Sequence, residues 1–240
     1  MKKCLFIDKY DKTKKIIEYD KFILVKGGDG TMLRAIDLYS TLKKPFYGLA
    51  KGTFNFFMNK KFKINKKTKK IKLKTIKVII KSIEIELIEN EIGSGYKKIK
   101  RLKTKVMYAF NEIHIGSFNG FINFNCKDKD KIIGKFKGSG IIVSTAAGST
   151  GINRNNKGII LPLSSKNWSI NGVCSDKNIN YVLENNKIKI KMKSREEIKI
   201  AIDGNRNVIN NISEVILEKG KNVKLMFNNI NKFKRKRKNA

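Results

Sequence analysis

The stretch FILVKGGDGTMLRAIDLYSTLKKPFYGLA, residues 22–50, decides the architecture of the first part of this 240-residue chain. Its apolar opening, rich in β-branched residues, reads as a buried strand. Five residues, KGGDG, follow, and then Met32, Leu33, Ile36 and Leu42 fall near helical spacing. Pro45 ends that helix, and FYGLA reads as the next buried strand. The result is a β-turn-α-β unit with parallel strands, and therefore an α/β domain with the glycines at the strand-to-helix turn. Upstream, KCLFI at residues 3–7 reads as a further buried strand.

Downstream the character changes. Residues 60–81 form the densest lysine segment and connect two halves. Beyond them come KSIEIELIE, KVMYAFNEIHIG, GFINFNCK, GSGIIVSTAAG, NKIKIKMKS, EEIKIAIDGN and KNVKLMF. Each alternates apolar and polar residues between Gly, Asn and Lys turns, which is the pattern of half-buried strands. The expected organisation is an N-terminal α/β domain over residues 1–75, a C-terminal β-rich, sandwich-like domain over 76–230, and a solvated basic tail at 231–240. No internal repeat of 20 to 50 residues is visible.

Composition narrows the function. At 27.5 kDa with 40% hydrophobic residues, the chain can bury a real core and does not read as disordered. The formal net charge of +34 would ordinarily suggest a polyanionic partner. Nearly all of it is lysine, however, with arginine only at 34, 101, 154, 195, 206, 235 and 237. Lysine rising together with Ile and Asn is what an AT-rich coding sequence yields by drift, whereas phosphate forks and base edges favour arginine. No specific nucleic acid is expected. Cys4, Cys126 and Cys174 match no metal spacing and read as reduced thiols. No signal-like segment or apolar run of membrane-spanning length is present, so the expectation is a cytoplasmic protein without membrane attachment.

Three stretches carry chemistry. In GGDG, glycines let backbone approach a ligand, and successive N–H groups at a helix start suit a phosphate. A carboxylate, Asp29, inside such a turn is repelled by phosphate unless it accepts a proton or holds a metal ion. That combination suggests phosphoryl transfer to a hydroxyl with Asp29 as base; the same tetrapeptide also serves as an ordinary surface turn. It is neither a Walker loop nor the GxGxxG dinucleotide fingerprint. The second stretch, GSGIIVSTAAGSTGIN at 138–153, places small side chains and hydroxyls in a turn after a strand, suited to close approach of a base or phosphate or simply a serine-rich loop. The third is FNEIHI at 110–115. Alternation there puts Asn111, Ile113 and Ile115 on one face and Glu112 with His114 on the other, and an Asn-Glu pair can fix a ribose or amide. His114, the one histidine, reads as a structural or surface strand residue.

Taken in order, KGGDGTML, YGLAKGTFNFFMN, FNEIHI, GSGIIVSTAAGSTGIN, ILPLSS and IAIDGN resemble the NAD kinase family across most of the chain. GGDGT alone is shared with diacylglycerol and sphingosine lipid kinases; the NE pair with STxxGST selects NAD kinase. The resemblance implies an active site in a crevice between a small α/β domain and a β-rich domain. It implies transfer of the terminal phosphate of ATP, or polyphosphate, to the 2′-hydroxyl of NAD's adenosine ribose, assisted by Mg²⁺ or another divalent cation. It also implies a homo-oligomer, dimer or tetramer. Asp29 matches the catalytic aspartate, flanked by Gly28 and Gly30 with Gly27 and Thr31 completing the motif. Phe56 matches an aromatic near the adenine, Asn111 and Glu112 the pair that holds NAD, and Thr150 with Asn153 the adenine-binding turn.

Departures accompany the match. Ser139 and Gly140 stand where the family has Asp-Gly, so a carboxylate that contacts NAD is replaced by Ser139. The family's GSTAY is GSTGI here, with Gly151 and Ile152, which removes a stacking tyrosine worth about 1 kcal/mol. The same reaction with weakened or altered NAD binding is the expectation. Trp168 reads as a packing anchor, and Asp203 in IAIDGN as a hairpin-turn residue with no catalytic part. Two other functions compete: a GGDGT-type lipid kinase, which leaves Asn111 and Glu112 unexplained, and a non-enzymatic binder of nucleic acid using residues 60–81 and the tail.

Overall fold

A computed structural model describes residues 2–51, 55–89, 96–117, 119–129, 131–184, 187–194, 197–208 and 212–231. The chain divides into two compact units, residues 1–74 with 221–240, and residues 75–220. The first unit takes in the end of the last strand, which alternation groups with the β-rich stretches.

The first unit contains β1 (Lys2–Ile7), β2 (Lys15–Tyr19), β3 (Ile23–Gly27), α1 (Asp29–Tyr39), β4 (Phe46–Ala50) and the C-terminal part of β16 (Ile212–Phe227). The expected β-turn-α-β unit is present. β3 and β4 are parallel, with Ile23 opposite Phe46 and Gly27 opposite Ala50, and α1 connects them. The helix buries Met32, Ala35 and Ile36, an i, i+3, i+4 stripe, while Leu38 and Leu42 remain exposed. β16 adds to the far side of β4 in parallel through Leu225 and Met226. Asn59 fastens this join: its amide nitrogen donates to the Gly48 and Met226 carbonyls, and its oxygen accepts the Asn228 N–H at 2.8 Å.

KCLFI forms a strand but not a buried one. Among the described residues β1 is the edge of its sheet and pairs only with β2; it exposes Cys4 and half-exposes Ile7. The strand between it and β3 is β2, whose Ile16 and Ile17 are both buried because apolar cover lies on each face.

The second unit is a sandwich of antiparallel strands. Its first sheet takes in β5 (Lys69–Glu89, from Thr75 onward), β6 (Tyr96–Ala109), β8 (Ile122–Asp128), β9 (Lys131–Gly138), β13 (Ile188–Lys193) and the N-terminal part of β16. The second has the order β12 (Asn180–Leu183), β11 (Trp168–Val173), β10 (Gly140–Ser144), β7 (Glu112–Gly116), β14 (Lys199–Ile202) and β15 (Asn205–Val208). Between the sheets lies one core that includes Val78, Ile113, Phe124, Ile141, Ile170, Ile190 and Val215. Trp168, 2% exposed, is embedded in it as a packing anchor. A short helix, α2 (Ile152–Asn155), follows β10.

Candidate active site

In the first unit, the turn after β3 is shaped by what its glycines omit. A Cβ on Gly27 would overlap the side chain of Thr31, which folds back from the first turn of α1. Gly28 caps that helix in extended conformation and contributes no side-chain hydrogen bond to it. Among the described residues nothing lies within 4 Å of where a Cβ on Gly30 would project. Amides at such a turn are poised for an anion. Asp29 is half-buried and oriented by the segment following β4: the Phe56 N–H donates to Oδ2 at 2.7 Å and the Phe57 N–H to Oδ1 at 2.8 Å. Phe56 therefore takes part through its backbone, holding the carboxylate. The neighbouring Gly52 and Thr53 of the same motif lie outside the described residues.

In the second unit, the stretch around the NE pair departs from simple alternation. Ile113 and Ile115 of β7 enter the core and Glu112 with His114 take the other face, as expected. Asn111 does not join the isoleucines, because it lies in a bend just before the strand. That bend is held from two sides. Asp203 accepts the Phe110 N–H at 2.7 Å, the Asn111 N–H at 2.6 Å and the Glu112 N–H at 3.2 Å. Thr145 donates its N–H to the Asn111 carbonyl at 2.8 Å and its hydroxyl to the Phe110 carbonyl at 2.7 Å. The same hydroxyl accepts the Ala147 N–H at 3.1 Å, which ties the small-residue turn to the NE bend. Gly148 completes the contact, since any Cβ there would strike the Asn111 backbone.

Backbone amides that clamp one bend leave its side chains to be used elsewhere. Asn111 Oδ1 and Glu112 Oε2 are both buried and have no hydrogen-bond partner among the described residues. A buried polar atom left unpaired costs about 1–3 kcal/mol, so two in adjacent residues indicate a place for a ligand's donors. Glu112 is 9% exposed, and its pKa is raised from 4.5 to about 8, by burial first and by the nearby Asp203 charge second. At neutral pH it holds a proton and can both donate and accept. Gly151 borders this carboxyl, a Cβ there lying 3.7 Å from Glu112 Oε2.

The remaining candidates of the second unit have structural duties. Asn153 is fully buried: its amide nitrogen donates to the Ser149 and Ile159 carbonyls and its oxygen accepts the Ser169 hydroxyl. Thr150 is buried in the same turn. Ser139 donates its hydroxyl to the Val173 carbonyl at 3.2 Å, at the opposite end of β10 from the NE bend. His114 is half-buried, its pKa lowered by burial, and its Nε2 lies over Gly116 and Gly140.

Sequence reading placed Asp203 correctly in a hairpin turn, with positive φ at Asp203 (51°) and Gly204 (80°) in the two-residue link between β14 and β15. It missed that the same side chain reaches back 92 positions to Asn111. Thr145 was missed as well, although a Thr two residues before an Ala-Gly turn is a signal for side-chain-to-backbone bonding. Among the described residues no group of three His, Cys, Asp or Glu could hold a metal ion. Mg²⁺ is commonly carried by substrate phosphates with one or two carboxylates rather than by a cage of protein ligands. No helix among them is long and apolar enough to cross a membrane.

No protein-family model matches the chain. Among characterised proteins, it is 28% identical over 220 residues to the NAD kinase of Rickettsia prowazekii, covering 88% of this chain and 82% of that protein. It is 27% identical over 238 residues to the NAD kinase of Rickettsia typhi, covering 91% and 86%. Among solved structures, the fold is shared with an Archaeoglobus fulgidus NAD kinase in complex with ATP, at a TM-score of 0.64 and 18% identity over 90% of this chain and 80% of that one. It is shared also with yeast NADH kinase complexed with NADH, at a TM-score of 0.68 and 19% identity over 86% of this chain. This chain spans 62% of the yeast protein's length.

Proposed function

We infer that this chain is an NAD kinase, transferring the terminal phosphate of ATP, or of polyphosphate, to the 2′-hydroxyl of NAD's adenosine ribose. The observation that carries this reading is the pair of unpartnered buried oxygens, Asn111 Oδ1 and Glu112 Oε2, on a backbone clamped by Asp203 and Thr145. Adjacent directed acceptors, one on a protonated carboxyl, suit the vicinal hydroxyls of a ribose. Relatives at 27–28% identity over most of the chain carry the same activity in their names.

In the proposed reaction the ribose 2′ oxygen forms a bond to the terminal phosphorus as the bond from that phosphorus to the bridging oxygen breaks, and ADP leaves with the bridging electrons. The 2′ proton passes to Asp29, whose carboxylate is aimed by the Phe56 and Phe57 amides. Gly28, Gly30 and Thr31 frame the turn whose amides face phosphate, and the divalent cation arrives with the phosphates as part of the substrate. Such a reaction asks for positioning and charge neutralisation rather than covalent chemistry from the protein. Thr150 and Asn153 act by shaping the turn beside Glu112, and Ser139 in place of a carboxylate goes with an altered grip on NAD. The working protein is proposed to be a cytoplasmic homo-oligomer.

The test is NADP formation with ATP, and separately with polyphosphate, by the wild type and by Asp29→Asn. The variant is expected to lose a factor of about 10² to 10⁴ in rate with its fold intact. Equal rates refute the base assignment. Phosphorylation of diacylglycerol in place of NAD replaces the whole reading with a lipid kinase.

A further inference from the structure

The solvent face of β9, β8 and β13 carries lysines at matching positions across three strands. On β8, Ile122, Phe124 and Cys126 enter the core, which leaves Asn123 and Asn125 on the outer face. Asn123 pairs with Lys137 on one side and Lys193 on the other; Asn125 pairs with Lys135 and Lys191. Residues two apart on a strand are separated by about 6.6–6.8 Å, and alternate strands by about 10 Å. Four ammonium stems therefore rise from the corners of a rectangle with two carboxamides along its midline. A cavity of about 440 Å³ lies over them, within the size range of small-ligand sites.

Some lysines close by are ion-paired. Lys81 and Lys189 reach Glu214, and Lys77 and Lys187 reach Glu218. Among the described residues none of the four cradle lysines makes an ion pair. Lys137 Nζ lies 5.5 Å from the centre of the exposed Phe121 ring. The one carboxylate lining the cavity, Asp176, has Oδ1 engaged by the Lys137 backbone N–H at 2.8 Å. Among the described residues Asn125 Oδ1 is buried without a partner. Oxygen and nitrogen of a carboxamide exchange by rotation, so this side chain can offer N–H donors to an anion.

We propose that this cradle binds a linear chain of two or three phosphates, gripped by Lys135, Lys137, Lys191 and Lys193, with Asn123 and Asn125 donating to its oxygens. The inference is independent of the proposed kinase activity. The chemistry is shared by inorganic triphosphate and by the triphosphate of a nucleotide; a compact four-cornered grip over a small cavity favours either over a long polymer, which would need an extended track.

The experiment measures lysine acetylation by mass spectrometry in the full chain, with inorganic tripolyphosphate, ATP or a single-stranded oligonucleotide added. Tripolyphosphate is expected to slow acetylation of the four cradle lysines several-fold while Lys67 and Lys70 are little affected. In Lys137→Glu/Lys191→Glu, which removes two of four charge-assisted contacts, tripolyphosphate affinity falls by about tenfold or more. Urea unfolding of that variant, followed through Trp168 fluorescence, matches the wild type, which reports an intact fold. Protection by ATP as well as tripolyphosphate identifies a nucleotide as a ligand; protection by tripolyphosphate alone identifies the inorganic chain. Uniform slowing at all surface lysines overturns the proposal. So does an equal loss of affinity in Lys67→Glu/Lys70→Glu, or protection by the oligonucleotide alone.

Discussion

Replacing Glu112 by Gln removes one titration from the folded protein while keeping the side chain's shape. Glu112 has an ordinary pKa of 4.5 when unfolded and about 8 when folded, because burial and the Asp203 charge both oppose ionisation. Between those values the folded state holds a proton that the unfolded state has released. Stability is therefore fully present below pH 4.5, declines as pH rises, and levels once pH passes about 8. The slope approaches ~1.4 kcal/mol per pH unit, so the interval from 4.5 to about 8 amounts to roughly 5 kcal/mol, an order-of-magnitude figure. Glu112→Gln lacks this dependence and shares every other titration. Urea unfolding of both proteins from pH 5.5 to 9, followed through the fluorescence of Trp168 in the second unit's core, gives the difference directly. The variant should gain on the wild type by about 1 kcal/mol or more per pH unit up to about 8 and no further. A difference that stays constant across this range means that Glu112 ionises as an exposed carboxyl does, and the account of a dry NE bend fails.

Asp203→Ala strips three backbone N–H groups of their acceptor and is expected to cost about 2–5 kcal/mol in the second unit's unfolding, with a raised KM for NAD. Asp203→Asn keeps one accepting oxygen and should recover part of both. Gly148→Ala drives a methyl into the Asn111 backbone, and a loss of about 1–3 kcal/mol in chemical denaturation should accompany weaker NAD binding by calorimetry. Trp168→Ala should cost about 3–5 kcal/mol in urea unfolding with Asp29 chemistry affected only through stability.

The parts of this protein legible in its sequence are those set by local rules. Residues 22–50 predict β3, α1 and β4 because apolar runs, glycines and Pro45 each act within a few positions. The inward pointing of Ile113 and Ile115 follows from a period of two. What escaped reading depends on distant partners. KCLFI is as apolar as a core strand, yet its exposure was decided by having one neighbour rather than two. Asn111 leaves the alternation because Asp203 and Thr145 bend the backbone there, and nothing near position 111 announces either. Asn153, placed by the resemblance in the adenine-binding turn, also bonds through its side chain to Ser149, Ile159 and Ser169, partners that spacing does not reveal.

The return of β16 to the first unit has a consequence for synthesis. Residues 221–227 supply the strand that flanks β4 and the Met226 carbonyl that Asn59 binds, so the first unit lacks a strand until nearly the whole described chain has been made. The second unit, by contrast, is one uninterrupted segment. On a ribosome adding about 5–20 residues per second, the segment encoded second is the one able to finish folding first. The GGDG turn, translated early, waits for the last strand before its sheet is closed. Chains cut short before residue 221 should accumulate with a protease-resistant 75–220 core and a digestible N-terminus.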